Sequence, residues 1–457
     1  MTTEATVPTA VAKATEYAHA LARRAWTSVE PDGVTGRRWF LIGDPQTSFA
    51  RFAGYLHDAG LLGEEGFLAR DVGLVSMGDH FDYAGDEGVV AAEGVAILRW
   101  LAAHPPDQVV ILAGNHDLAR VAELAAVNDA RFAEARTAAR DTAVSDKDFA
   151  ARFPEMPVRG LVARDYSGFR VAQRALVKAL LGGRRMVLAA SAVTREGAPL
   201  LLTHAGVTTR ELAVLKRPDE RDPERIARRL NRRLGRAVNA AAGLRGSSRA
   251  PLDLAPLYVA GNAAEEGGGM LYHRPAHPQE TKSDVGWAWA ETRRRRFDPR
   301  TLPEGLAQAV GHTGHARCLK ELGSWVAERA RDPSPGRART LTRRGMDVRY
   351  ELGIHPAEAG AATLYLLDPE MSKGPARVDV MEVASVTVPS VTLRANGSER
   401  VLVDPDERVC ANCAHALWIL GGAWGMQCGA AENRDAEGRN LKIPSRRYTC
   451  PLFRVKE

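Results

Sequence analysis

Apolar residues along this chain come in short blocks, and each block runs into a glycine or a polar residue able to bind a cation. Trp39 to Ile42 leads to Gly43-Asp44, Val72 to Met77 to Gly78-Asp79, and Val109 to Leu112 to Gly114-Asn115. Leu200 to Thr203 is followed by His204, and Leu306 to Val310 by Gly311-His312. Blocks of this length predict buried strands. Between the second and third lies "DEGVVAAEGVAILRWLAAH", whose apolar residues recur at three and four and predict a helix. Strands alternating with helices argue for a layered α/β architecture.

The same pattern divides the chain. Residues 1–36 predict an amphipathic N-terminal helical extension, 37–395 the main domain, and 405–457 a separate cysteine-rich module. Two stretches interrupt the strand–helix alternation, 120–185 (Ala- and Arg-rich, helical) and 208–300, which holds "DERDPERIARRLNRRLGRAVNAAAG", the loop "GNAAEEGGGM" and "ETRRRRF". Such insertions commonly cover strand ends and shape access. The segment around Arg329 to Arg339 reads as a loop, and "AATLYLLDPEM" and "VDVMEVASVTV" as two more strands.

Composition narrows the class. The chain has 457 residues, 45% hydrophobic and 26% charged, ordinary for a globular protein but too long for one comfortable core. No apolar run approaches the roughly 18 residues that a membrane span needs. The N-terminus lacks a basic segment followed by an apolar one, so a secretory signal is not expected and the cytoplasm is the expected compartment. A net charge of +6 and a pI near 9.1 are compatible with a polyanionic partner, or with a basic surface of no functional meaning.

Read in order, the strand ends deliver Asp44-Pro45-Gln46, Asp79-His80-Phe81-Asp82, Asn115-His116-Asp117, His204-Ala205-Gly206, and His312-Thr313-Gly314-His315. A glycine before the ligand lets the backbone turn sharply off the sheet. Divalent metals of intermediate softness take mixed imidazole and carboxylate shells, and a pair of them can clamp both oxygens of an in-line displacement at phosphorus. This order resembles the calcineurin-like metallophosphoesterases, with "LLLTHAGV" and "VGHTGH" most similar to the branch of phosphoprotein phosphatases and symmetrical dinucleoside tetraphosphatases. The resemblance spans roughly residues 37–370 and is carried by these short motifs.

The resemblance implies a β-sandwich flanked by helices and a site for two divalent cations (Mn, Fe, Zn or Mg). Asp44 would bind the first metal, Asp79 would bridge both, and Asn115, His204 and His312 would complete the second. His116 would be the general acid, oriented by Asp117, and a metal-bridging hydroxide would attack phosphorus. The implied substrate is phosphorylated: a phosphoprotein, a nucleotide such as a dinucleoside polyphosphate, or another polyanion. Nucleic acid is less favoured, because the basic runs lack interleaved aromatics. The competing class is a weakly active or inactive scaffold that binds a phosphate ligand.

Three departures matter, and the first two motivate that alternative. Gln46 stands where the family usually has a histidine ligand to the first metal, and an amide oxygen is a weaker, uncharged donor. Tyr83 and Ala84 follow Asp82 where the phosphatase branch continues into an arginine that contacts phosphate; Arg120 or an arginine of the insertions is the candidate replacement. His315 lies three residues after His312 and is a candidate for the first metal, or else a histidine outside the metal shell. His80 is either a substrate contact or a strand-end histidine facing solvent.

In the tail, Cys410 and Cys413 form a CxxC pair, followed by Cys428 and Cys450. Disulfides are not expected in a cytoplasmic protein. Four thiolates can close a structural zinc site that supplies folding energy to a module poor in aliphatics, with an iron–sulfur cluster as the alternative. His415 could replace one thiolate. Cys318 stands alone and reads as a buried thiol.

Overall fold

The computed structural model describes residues 7–83, 85–166, 168–243, 250–280 and 294–389, together with the short strands at 416–418, 426–428 and 441–442. The chain divides into two units, Met1–Val391 and Thr392–Glu457.

In the first unit eleven strands join into one mixed sheet. They are β1 (Arg38–Ile42), β2 (Val72–Ser76), β3 (Val109–Leu112), β4 (Met186–Val187), β5 (Ala189–Thr194), β6 (Pro199–Thr203), β11 (Ala307–Val310), β12 (Arg339–Arg344), β13 (Asp347–Leu352), β14 (Ala362–Leu366) and β15 (Met381–Thr387). The short pairs β7 (Tyr258–Val259) with β8 (Gly268–Gly269) and β9 (Arg274–Pro275) with β10 (Arg296–Phe297) lie in the second insertion. The large sheet runs β13-β12-β14-β11-β6-β5-β15-β1-β2-β3-β4. Within it β1, β2, β3 and β4 are mutually parallel, as are β6, β11 and β14. Antiparallel β5 and β15 join these two wings.

Alternation along the strands shows how the layers form. Phe40, Ile42, Leu74, Ile111 and Leu201 share one apolar cluster with the helices, whereas Leu41, Val75, Val110, Leu200 and Leu202 join a second cluster with Ala309 and Tyr365. Successive side chains of a strand point to opposite faces, so a sheet apolar on both faces is covered on both. The second cluster draws on both wings, and Val310, Leu364 and Leu366 face a third with Leu341 and Tyr350.

The helices are α1 (Thr9–Ala22), α2 (Phe49–Asp58), α3 (Glu87–Ala103), α4 (Asn115–Ala119), α5 (Asp129–Arg140), α6 (Asp146–Arg152), α7 (Val171–Gly182), α8 (Thr209–Val214), α9 (Pro223–Gly243) and α10 (His315–Glu321). Asp86 starts α3 by accepting from Gly88 N and Val89 N, satisfying donors that a helix start leaves open. Helix α1, in the stretch expected as an N-terminal helical extension, packs on the main body. Val11, Ala14 and Ala18 of α1 are buried in the cluster that holds Phe49, Phe52 and Trp100. Among the described residues no helix is long and apolar enough to cross a membrane.

The 120–185 stretch is helical as expected, but its arginines are engaged locally. Arg131 and Arg152 pair with Glu134, Arg136 and Arg140 with Glu87, and Arg159 with Asp146. The expected loop near 329–339 holds a 3-10 turn at Glu328–Ala330 and then the β12–β13 hairpin. Of the tail cysteines, Cys410, Cys413 and Cys450 lie outside the described residues. Cys428 ends strand β17 (Met426–Cys428), whose backbone pairs with β16 (Ala416–Trp418) and β18 (Leu441–Lys442).

Candidate metal centre

The C-terminal ends of β1, β2, β3, β6, β11 and β14 all carry residues of one site, as expected where parallel strands open toward a ligand. Glycines make the convergence possible. A Cβ on Gly78, which has φ of 101°, would stand 2.7 Å from both Gly114 N and His204 Nδ1, and one on Gly311 would stand 2.0 Å from Asp44 Oδ1. Asp79, Asp82 and His312 hold φ of 55°, 66° and 61°. Left-handed backbone at non-glycine residues costs about 1–3 kcal/mol each and persists where the surroundings fix it, commonly at functional sites.

Asp79, His204 and His312, all buried, bring one ligand atom each within 4.8 Å of one another. The amide of Asn115 enters the same group. Its side-chain atom facing them lies 3.1 Å from His204 Nε2, 2.9 Å from His312 Nδ1 and 3.3 Å from Asp79 Oδ2. With nitrogen in that place, its two N–H groups have four acceptors in reach, these three atoms and Leu271 O at 3.2 Å. With oxygen there, four lone-pair atoms face one another, an arrangement that a cation would satisfy. His204 Nδ1 lies 2.8 Å from Met77 O, which selects the tautomer whose Nε2 presents its lone pair to Asp79 Oδ2 at 3.4 Å. His312 turns its Nδ1 to the cluster, 2.9 Å from the Asn115 amide. These residues therefore fit a divalent cation by donor type, burial and orientation.

Asp44 adjoins this group across the Gly311–His312 turn. His312 N donates to Asp44 Oδ1 and Oδ2, each at 3.0 Å. Burial, then the fields of Asp368 and Asp79, raises the Asp44 carboxyl well above the ordinary carboxylate range. The Gln46 amide instead donates to Phe81 O at 3.0 Å.

Beside the cluster, His116 Nδ1 lies 2.8 Å from Asp82 Oδ2 and its Nε2 is 4.0 Å from Asp79 Oδ2. Burial opposes the imidazolium, but the Asp79 and Asp82 carboxylates outweigh it and carry the His116 pKa to about 9. Asp82 in turn accepts from Arg120, whose other groups donate to His116 O and Gln173 Oε1. Tyr166 stacks edge-on against His116 with ring centroids 5.5 Å apart. The Tyr166 and Tyr272 hydroxyls both reach the buried Glu123, at 3.2 and 2.7 Å.

Four expectations are corrected by these contacts. Asp82, not Asp117, orients His116. Asp117 is fully buried and accepts from Gly114 N, Asp79 N, His80 N and His80 Nδ1, so it clamps two site loops together. Arg120 is fully buried, with its donors engaged, and is not presented to a phosphate. His315 places Nδ1 2.6 Å from Tyr350 Oη and Nε2 2.7 Å from Asp332 O, leaving no lone pair for a metal. His80 is buried between Ser76 Oγ and Asp117, facing neither substrate nor solvent.

Three residues escaped sequence reasoning. Asp82 was visible as the second acid of Gly-Asp-x-x-Asp. Asp368 was visible only as the polar end of a predicted strand. Arg274, in the second insertion, has no local signal. Its guanidinium feels Asp79, Asp368 and Asp44, although burial and neighbouring Arg317 lower its pKa on balance. Cys318 is buried as expected, its thiol pushed up to about 11 by desolvation. No protein-family model matches the chain, and no match is found among curated proteins.

Proposed function

We propose that the chain is a metal-dependent phosphoric ester or anhydride hydrolase of the metallophosphoesterase type. The observation that carries this reading is the convergence of Asp79, Asn115, His204 and His312 on one point, with the Asp82–His116 pair alongside. Two sheet wings sharing an inner apolar layer agree with the sandwich that the family resemblance implies. Divalent cations bound there would lower the pKa of a water and neutralise charge on the transferring phosphoryl group.

The chain's own residues supply the rest. Asp79 and Asn115 would hold the cation side, and Asn115 is fixed at the first turn of α4 immediately before His116. Asp82 locks His116 Nδ1, so Nε2 is the nitrogen that faces the reacting group and hands its proton to the leaving oxygen. Arg274 is the anion contact in place of the absent arginine after Asp82. A cleft beside the loop after β6 is lined by Arg210, Arg294 and Arg296 together with Glu211 and Asp298, with Arg210 paired to Glu211 and Arg296 to Glu321.

The test uses the full chain with manganese, assayed on p-nitrophenyl phosphate and bis-p-nitrophenyl phosphate beside His116→Asn. The expected result is hydrolysis that falls by about 10²–10⁴-fold in the variant, the usual contribution of a positioned proton donor. Bound metal without hydrolysis would favour the phosphate-binding scaffold instead. Activity unchanged by the substitution would refute the assignment of His116.

A further inference from the structure

Gln46 leaves the first metal position short of a charged or imidazole ligand, and its amide is turned to Phe81 O. Another chain segment reaches the same place. A Cβ on Gly43, the residue before Asp44, would stand 2.1 Å from Leu367 O and 2.8 Å from Asp368 Cα. The end of β14 is therefore pressed against the end of β1, with Asp368 level with Asp44. Parallel pairing of β11 with β14 reaches Val310 opposite Leu366, so Asp368 leaves the sheet at the same edge as His312.

Asp368 is held there. Arg339, fully buried, donates to Asp368 O at 2.9 Å and to Thr313 O at 2.7 Å, fastening the strand end to the loop after His312. Glu370 N donates to Asp368 Oδ1 at 2.8 Å, while among the described residues Oδ2 receives no hydrogen bond. Arg339 hydrogen-bonds the backbone of Asp368 and not its carboxylate, and its charge only partly offsets the burial that raises the Asp368 pKa.

We propose that Asp368 is a ligand of the first metal, supplying the anionic donor that Gln46 does not. This rests on the metal-centre reading above and extends it to a residue outside the recognised motifs. Asp44 and Asp368 are two acids of like charge at one edge of the sheet, and desolvation raises the pKa of each. A divalent cation between them removes that conflict.

The experiment measures manganese in the full chain, wild type against Asp368→Asn and Asp368→Ser, by titration calorimetry and by electron paramagnetic resonance. The expected wild type binds two ions with an exchange-coupled spectrum. Each variant should keep one ion at unchanged affinity, weaken the other at least tenfold, and give an uncoupled spectrum. Melting of the metal-free proteins verifies folding, and the variants should melt no lower than wild type, because one acid of a repelling pair is gone. Two ions bound to either folded variant at wild-type affinity would overturn this proposal and leave the metal centre standing. A wild type that binds no metal would overturn the metal centre and the proposal with it. Metal-free variants that melt well below wild type would identify Asp368 as structural and also overturn it.

Discussion

Replacing Asp117 separates a structural clamp from an acid–base role more cleanly than any other substitution in this molecule. Its Oδ2 accepts from Asp79 N at 3.0 Å, Gly114 N at 2.9 Å and His80 Nδ1 at 3.0 Å, and its Oδ1 from His80 N at 3.1 Å. In Asp117→Asn the amide oxygen can keep the three bonds of Oδ2, but an NH2 group then faces the His80 N–H. One buried donor loses its acceptor, which costs about 1–3 kcal/mol. In Asp117→Ala all four donors are orphaned, for about 4–12 kcal/mol by the same rule. That approaches the whole stability of an ordinary domain, about 5–15 kcal/mol. Urea unfolding at pH 7, followed by tryptophan fluorescence, should show a lower midpoint for Asp117→Asn at unchanged slope. Asp117→Ala should fail to accumulate folded protein. An Asp117→Asn variant with wild-type stability but lost hydrolysis would refute this reasoning and return Asp117 to the role of orienting His116.

Other predictions follow from the same contacts. Asp82→Asn should lower kcat at least tenfold while elemental analysis finds the metal content unchanged, because it loosens His116 and not the cation ligands. Gly311→Ala places a methyl group into the Asp44 carboxylate, and metal titration should show at least one ion weakened. Arg274→Gln should raise KM for a phosphate monoester more than it lowers kcat, as read from steady-state kinetics. His104 is buried, its ring bonded to Trp100 O and Leu68 N, and desolvation holds its pKa at about 4. The unfolded chain protonates His104 near pH 6.5 but the folded one does not, so stability is full above pH 6.5 and falls as pH drops toward 4. The span is about 3 kcal/mol. In urea denaturation at a series of pH values, His104→Gln should show a correspondingly shallower loss over that window.

The strand ends were legible because each is a block of apolar residues running into a glycine, a pattern set by local chemistry alone. Val109–Leu112 was predicted to the residue, and the helix after Asp86 by its periodicity. The β12–β13 hairpin was not legible. Arg339, Arg343, Arg344, Asp347 and Arg349 break the apolar signal, yet charged residues suit a strand pair at a sheet edge, where they discourage pairing with another chain. The N-terminal helix was visible as a helix, but its burial depends on a partner surface made by α2 and α3.

For the site, the sequence by itself determined the inventory: acids, amide and imidazoles placed just beyond strands, where the backbone must turn. Only the tertiary structure decided which of them meet. Asp82 and Asp117 are equivalent on paper, each an acid within a few residues of a ligand. Chain path turns Asp82 toward His116 and buries Asp117 under four donors. His315 and Asp368 were likewise unequal in the wrong direction, the histidine seeming the better ligand. Packing commits both nitrogens of His315 to Tyr350 and Asp332, whereas a glycine at position 43 lets the β14 end approach closely enough to place Asp368 beside Asp44. Side-chain type is local information, but the direction in which a side chain points is set by contacts between segments hundreds of residues apart.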